Sequence, residues 1–125
     1  MSPLSLLAKE GVPEVSISGF YTGTITSFEG EVTAVLELNL GESKGEVGGY
    51  LTLYEPHVGS GDLEVGSYFE RILKFSVFAS FEGLPYVCEY VGEVFPDQER
   101  ISGGYDCFHS EGSVIYESGE WSAFR

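Results

Sequence analysis

From Val15 onward, apolar and polar residues alternate with period two, and the alternation is interrupted at short pairs such as Glu29-Gly30, Glu82-Gly83, Asp97-Gln98 and Glu111-Gly112. Runs rich in Val, Ile, Thr, Tyr and Phe that are punctuated in this way form consecutive antiparallel hairpins. Pairing arithmetic tests the idea. With Asp97-Gln98 as central turn residues, Val94 faces Ile101, Gly92 faces Gly103, Tyr90 faces Tyr105, Cys88 faces Cys107 and Tyr86 faces His109. The opposite face then pairs Glu93 with Ser102 and Glu89 with Asp106. One side is apolar and aromatic, the other acidic. A one-residue slip would mix the two sets, so the register is well specified.

The remaining hairpins agree on the same apolar face. Centring on Glu29-Gly30 sets Ile25, Gly23, Tyr21 and Gly19 against Ala34, Leu36, Leu38 and Leu40. Centring on Ser43-Lys44 sets Leu40, Leu38 and Leu36 against Val47, Gly49 and Leu51. Centring on Glu82-Gly83 sets Ala79, Val77, Phe75 and Leu73 against Tyr86, Cys88, Tyr90 and Gly92. The expected fold class is therefore all-β: an antiparallel up-and-down meander closed into a barrel of about eight strands. Residues 15–125 form the single barrel domain. Residues 1–14, where Ser2-Pro3 precede Leu4, Leu6, Leu7 and Ala8, read as a short capped helical turn and lead-in. The stretch EPHVGSGDLEVGSY, Glu55 to Tyr68, reads either as a long loop or as a loop plus a short strand. A bulge at Gly119 would swing Trp121 from the outside to the inside.

At 125 residues the chain is one domain by length, and with 42% hydrophobic residues it can bury a core. Six basic against twenty acidic residues give a formal charge of −14. That balance cannot neutralise a run of phosphates and is repelled by anionic membrane surfaces, so neither nucleic acid nor membrane is an expected partner. The start MSPLSLLAKEG lacks a basic region and carries too short an apolar run for a signal peptide. A cytoplasmic location is expected on this basis, where cysteines are normally thiols.

Gly19-Phe20-Tyr21 opens the first long strand and resembles a Tyr variant of the lipocalin G-x-W, with Arg125 in the place of the arginine that packs against it. The ending GEWSAFR is similar to the G-x-W-x-A-x-R that closes many avidin-like barrels. The chain thus resembles the calycin barrels, that is, lipocalins, fatty-acid-binding proteins and avidins. The resemblance implies the barrel itself, a packing role for Tyr21 and Arg125, and a homo-oligomer, because the matching Trp in avidins reaches a neighbouring subunit. It does not imply biotin, since avidins use several tryptophans and Trp121 is the only one here.

Tyr21, Tyr86, Tyr90, Tyr105 and Tyr116 project toward the same interior, with His109 near its end. Together they are the candidate ligand-binding residues. Phenols supply flat contact area and orienting hydroxyls for an apolar or aromatic ligand. The competing reading is a barrel that fills its own interior. His109 and Tyr86 are the only candidates for proton transfer; no nucleophile, base and orienter set accompanies them, so an enzyme is not the favoured class. Cys88 and Cys107 are either a cross-strand disulfide or two reduced thiols packed as small hydrophobes, and Cys107 also meets Tyr116 on the next strand. His57, with Glu55, Asp62 and Glu64 nearby, matches no metal-loop spacing and reads as part of a solvated loop. No metal or cofactor is expected. The leading functional expectation is a barrel binding a small apolar or aromatic ligand in a Tyr-lined interior. The alternatives are a packed barrel that engages a protein partner through its acidic outer face, and a small isomerase or cyclase on a similar barrel.

Overall fold

The computed structural model describes residues 16–28, 32–57, 59–81, 83–95, 99–109 and 115–125. The helical turn expected over residues 1–14 lies outside them. The strands are β1 (Gly19–Ser27), β2 (Thr33–Ser43), β3 (Glu46–Leu53), β4 (Gly61–Asp62), β5 (Glu64–Phe69), β6 (Ile72–Phe81), β7 (Leu84–Phe95), β8 (Arg100–His109) and β9 (Ile115–Phe124). They pair antiparallel in the order β2-β1-β9-β8-β7-β6-β5-β3, and β3 returns to β2. The sheet is thus a closed eight-stranded barrel, with β4 as a short extra strand on β3.

Three hairpin registers are as the pattern predicts. Tyr21 pairs with Leu38, Cys88 with Val77 and with Cys107, and Tyr90 with Phe75 and with Tyr105. The β2–β3 hairpin departs from expectation. Its turn is Lys44-Gly45, so Leu36 faces Leu53, Leu38 faces Leu51 and Leu40 faces Gly49. Lys44 and Gly45 both have positive φ, at 54° and 86°, which is the twist a two-residue hairpin loop needs, and Gly at the second position fits it. Because the pairs shift by two, the inward set is unchanged.

The segment from Glu55 to Tyr68 holds a loop followed by an interrupted strand. β4 and β5 run along β3 on either side of Leu63, which is buried, and a bulge at Val65 (φ 51°) shifts the register. The second bulge corrects the reading of the last hairpin. Phe108 faces Ile115, but Cys107 faces Glu117 and not Tyr116, so the extra residue lies ahead of Glu117 rather than at Gly119. The shift turns Glu117, Gly119, Trp121 and Ala123 toward the interior. The side chain of Tyr116 lies outside the described residues.

Trp121 is 3% exposed, inside its own barrel and not at a neighbour's site as the avidin pattern implied. Two glycines make room for it. Gly103 is its partner across β8–β9 and Gly92 the partner of Gly103 across β7–β8. A Cβ on Gly92 would stand 2.7 Å from Cζ2 of the indole, so the small residue and the large one occupy complementary space.

Candidate functional site

The interior is organised around a stack of rings from three adjacent strands. Phe75 and Tyr90 stack with centroids 5.0 Å apart, and Tyr90 and Tyr105 stack at 5.5 Å. Trp121 meets Phe75 and Tyr90 edge-on at 6.1 and 6.0 Å. Offset and T-shaped arrangements at these distances are the favourable ones for aromatic quadrupoles. The Cys88–Cys107 disulfide lies beside the stack, both residues buried, with Cα atoms 4.0 Å apart. That separation belongs to a non-hydrogen-bonded pair, so the inward-facing alternative of reduced thiols gives way to a cross-strand bridge.

Side chains cluster toward both ends of the barrel among the described residues. At one end the Arg125 guanidinium lies 5.6 Å from the Tyr21 ring centre and donates to the carbonyls of Ser16 and Ser18. The Tyr21 hydroxyl donates to the Ile17 carbonyl at 2.8 Å. A Cβ on Gly19 (φ 153°) would collide with Arg125 Cδ at 2.8 Å, so glycine, tyrosine and arginine form one packed unit. At the other end the Tyr105 hydroxyl donates to Glu117 Oε2 at 2.6 Å, and His57 closes over the pair with Nδ1 3.6 Å from the same oxygen.

Of the expected ligand-binding residues, Tyr21, Tyr86, Tyr90 and Tyr105 are buried together; Tyr86 and His109 face each other in register, with His109 exposed at the end of β8. His57 is a correction to the sequence reading. It is 8% exposed, not solvated, and its ring lies against Tyr105, the Val32 carbonyl and Glu117. Among the described residues no three potential metal ligands converge. Glu117 was not anticipated, because only the bulge before it turns a carboxylate inward.

Burial raises the Tyr105 phenol well above its ordinary range, and the hydrogen bond and charge of Glu117 raise it further. Burial also raises Tyr21, opposed in part by Arg125. A folded-state value above the unfolded one means stability that is complete below about pH 10 and is lost as the pH climbs past it. Phenolate absorbance should therefore rise in two phases, the second coinciding with loss of the sheet signal. Tyr105→Phe should move that second phase to higher pH. Ionisation of all phenols in one phase, before the sheet melts, would contradict this assignment.

A groove of about 900 Å³ lies on the outside, across β1, β9, β8 and β7. Gly104 projects outward there, so its bare backbone forms the floor. Glu89, Glu93, Asp106 and Glu120 line the groove with Val91 and the hydroxyls of Thr24 and Ser102. Glu89 and Asp106 are directly opposite each other, as the register predicted. Arg71 pairs with Glu93 at 2.9 Å and the Ser118 hydroxyl donates to Asp106 at 2.5 Å. No family model matches the chain, and no curated protein or solved structure matches it either. The closed antiparallel barrel is consistent with a calycin-like architecture.

Proposed function

We propose that this chain is a binding module, a solid calycin-like barrel that engages a Lys/Arg-rich protein segment through the acidic groove on its outer face. One observation carries the reading: a groove on the outside of the barrel has four carboxylates in its lining, whereas the interior holds the stacked rings of Phe75, Tyr90 and Tyr105. Like charges directly opposite on a sheet are destabilising, and a basic side chain laid between Glu89 and Asp106 relieves that repulsion. The bare strip at Gly104 lets an extended backbone approach, while the net charge of −14 steers a cationic partner toward the molecule. The interior as an open cup is the weaker reading, because Tyr90 and Tyr105, two of the tyrosines expected to line it, stack on each other and with Phe75. The Tyr21–Arg125 unit supports the calycin-like assignment. The buried disulfide supports an oxidising compartment over the cytoplasm.

A Lys/Arg-rich peptide of about ten residues should bind with an affinity that falls steeply with salt. Replacing Glu89 and Glu120 together by Gln should weaken it by about tenfold. Glu46→Gln with Asp62→Asn, which removes equal charge from β3 and β4, is the control and should change it by no more than about twofold. Equal losses in both double variants would mean that the peptide reads net charge and not the groove.

A further inference from the structure

The outward residues of β6, β7 and β8 fall into rows that run across the three strands. Phe78 pairs with Val87 and Val87 with Phe108, while the next outward row pairs Ser76 with Glu89 and Glu89 with Asp106. The row after that sets Lys74 against Val91 and Val91 against Gly104. Side chains within a row are cross-strand neighbours, and successive rows are about 7 Å apart along a strand. Along β7 the exterior therefore reads apolar, acidic, apolar, with Val87, Glu89 and Val91 in succession. Phe78 is 64% and Val91 45% exposed, while Val87 and Phe108 are half-buried. Single exposed apolar side chains are ordinary on a barrel. A run over three adjacent strands is contiguous, and contiguous apolar patches mark interaction surfaces.

The middle row decides what can lie on the other two. Glu89 and Asp106 are exposed and directly opposite each other. A purely apolar partner would bury both carboxylates without a counter-charge, at a cost that cancels the apolar contact. The same face of a second copy would bring four carboxylates together, so a symmetric dimer through this surface is excluded. A partner that covers both apolar rows must place a cation between them. Gly104 has no side chain, so a backbone can run along β8 at close range. An extended segment has the same two-residue period as the strand beneath it, and the side chains on one of its faces come into phase with the rows.

We infer that this face reads an extended protein segment of the pattern apolar-x-basic-x-apolar. Its Lys or Arg lies between Glu89 and Asp106. One apolar side chain rests on Phe78, Val87 and Phe108, and the other on Val91 beside the bare backbone of Gly104. The pattern is the same read in either chain direction, so both orientations along β8 satisfy it. This inference rests on the groove as a site for basic segments and adds a spacing of apolar residues, which net charge alone cannot select.

Two peptides of equal length and identical composition test it, with blocked ends and the same flanking lysines. One carries Leu-Ser-Arg-Ser-Leu, which in an extended chain puts all three large side chains on one face. The other carries Leu-Arg-Ser-Ser-Leu, which turns the arginine to the opposite face. The wild-type chain should bind the first about tenfold more tightly than the second. Both affinities should fall with salt while their ratio holds, since apolar contact is not screened. Phe78→Ser combined with Val87→Ser should bring the ratio below about twofold with the sheet signal unchanged. Equal binding of the two peptides by wild type would overturn the pattern and leave the groove as a surface for basic segments. Binding of neither would overturn both readings. A ratio that survives in the double variant would place the apolar contact elsewhere and also overturn the pattern. Should that variant not fold, the wild-type ratio and its constancy with salt decide alone.

Discussion

Trp121→Ala should lower the unfolding free energy by about 4 kcal/mol, the largest loss from any single truncation in this barrel. The indole is nearly fully buried, meets Phe75 and Tyr90 edge-on, and donates from Nε1 to the Gly104 carbonyl at 3.1 Å. Its neighbours on one side are Gly92 and Gly103, which have no side chains that could move into the space. A cavity bounded by sheet backbone cannot collapse, so the cost falls at the upper end of the large-to-small range. The converse change reads the same contact from the other side. Gly92→Ala brings a methyl to 2.7 Å from Cζ2 and should cost about 1–3 kcal/mol by overpacking. Combining Gly92→Ala with Trp121→Ala should cost less than the sum of the two, since one change relieves the other. Denaturant titration followed by circular dichroism measures all three. A loss below about 1 kcal/mol for Trp121→Ala would place the indole outside the core.

Removing the Cys88–Cys107 bridge by replacing both residues with Ala should cost about 3 kcal/mol, because the bond closes a loop of nineteen positions in the unfolded chain. The hairpin keeps its register without the bond, since the apolar and acidic faces of β7 and β8 already specify it. Native circular dichroism should therefore be retained, with the unfolding midpoint moved to lower denaturant. Reduction of the wild-type protein should produce the same shift only after unfolding begins, because both sulfur-bearing residues are buried. An unchanged midpoint in the double variant, or ready reduction of the native protein, would be incompatible with a buried structural bridge.

The barrel was readable where side-chain alternation and turn chemistry agree. Tyr90 opposite Tyr105, and Phe75 opposite Tyr90, follow from counting outward from a two-residue turn. Counting fails where the chain inserts a residue. Nothing in the alternation of GSVIYESGEW announces that Cys107 will face Glu117, yet that single bulge decides that Glu117 and Trp121 point inward. The turn at Glu70-Arg71 was invisible for a different reason. Both residues adopt positive φ, 52° and 68°, without a glycine to signal it, so the hairpin from Phe69 to Ile72 is held by its strands and not by its turn sequence. His57 was legible as a residue type but not as a buried one. A histidine among Pro, Gly, Ser and acidic residues looks solvated, and only the fold brings the Val32 carbonyl and Glu117 to its two nitrogens.

Closure of the barrel at the pairing of β1 with β9 bears on how the chain reaches this state. Thr22 meets Phe124 there, partners about a hundred residues apart, whereas every other ladder joins strands that are close in sequence. The entropy of bringing such distant segments together is offset only once the seam is zipped, so the local hairpins form first and the seam last. Until then β1 and β9 are open edges, each able to pair with a second chain. The interval before the seam closes is thus when this otherwise edge-free molecule is most exposed to misassembly.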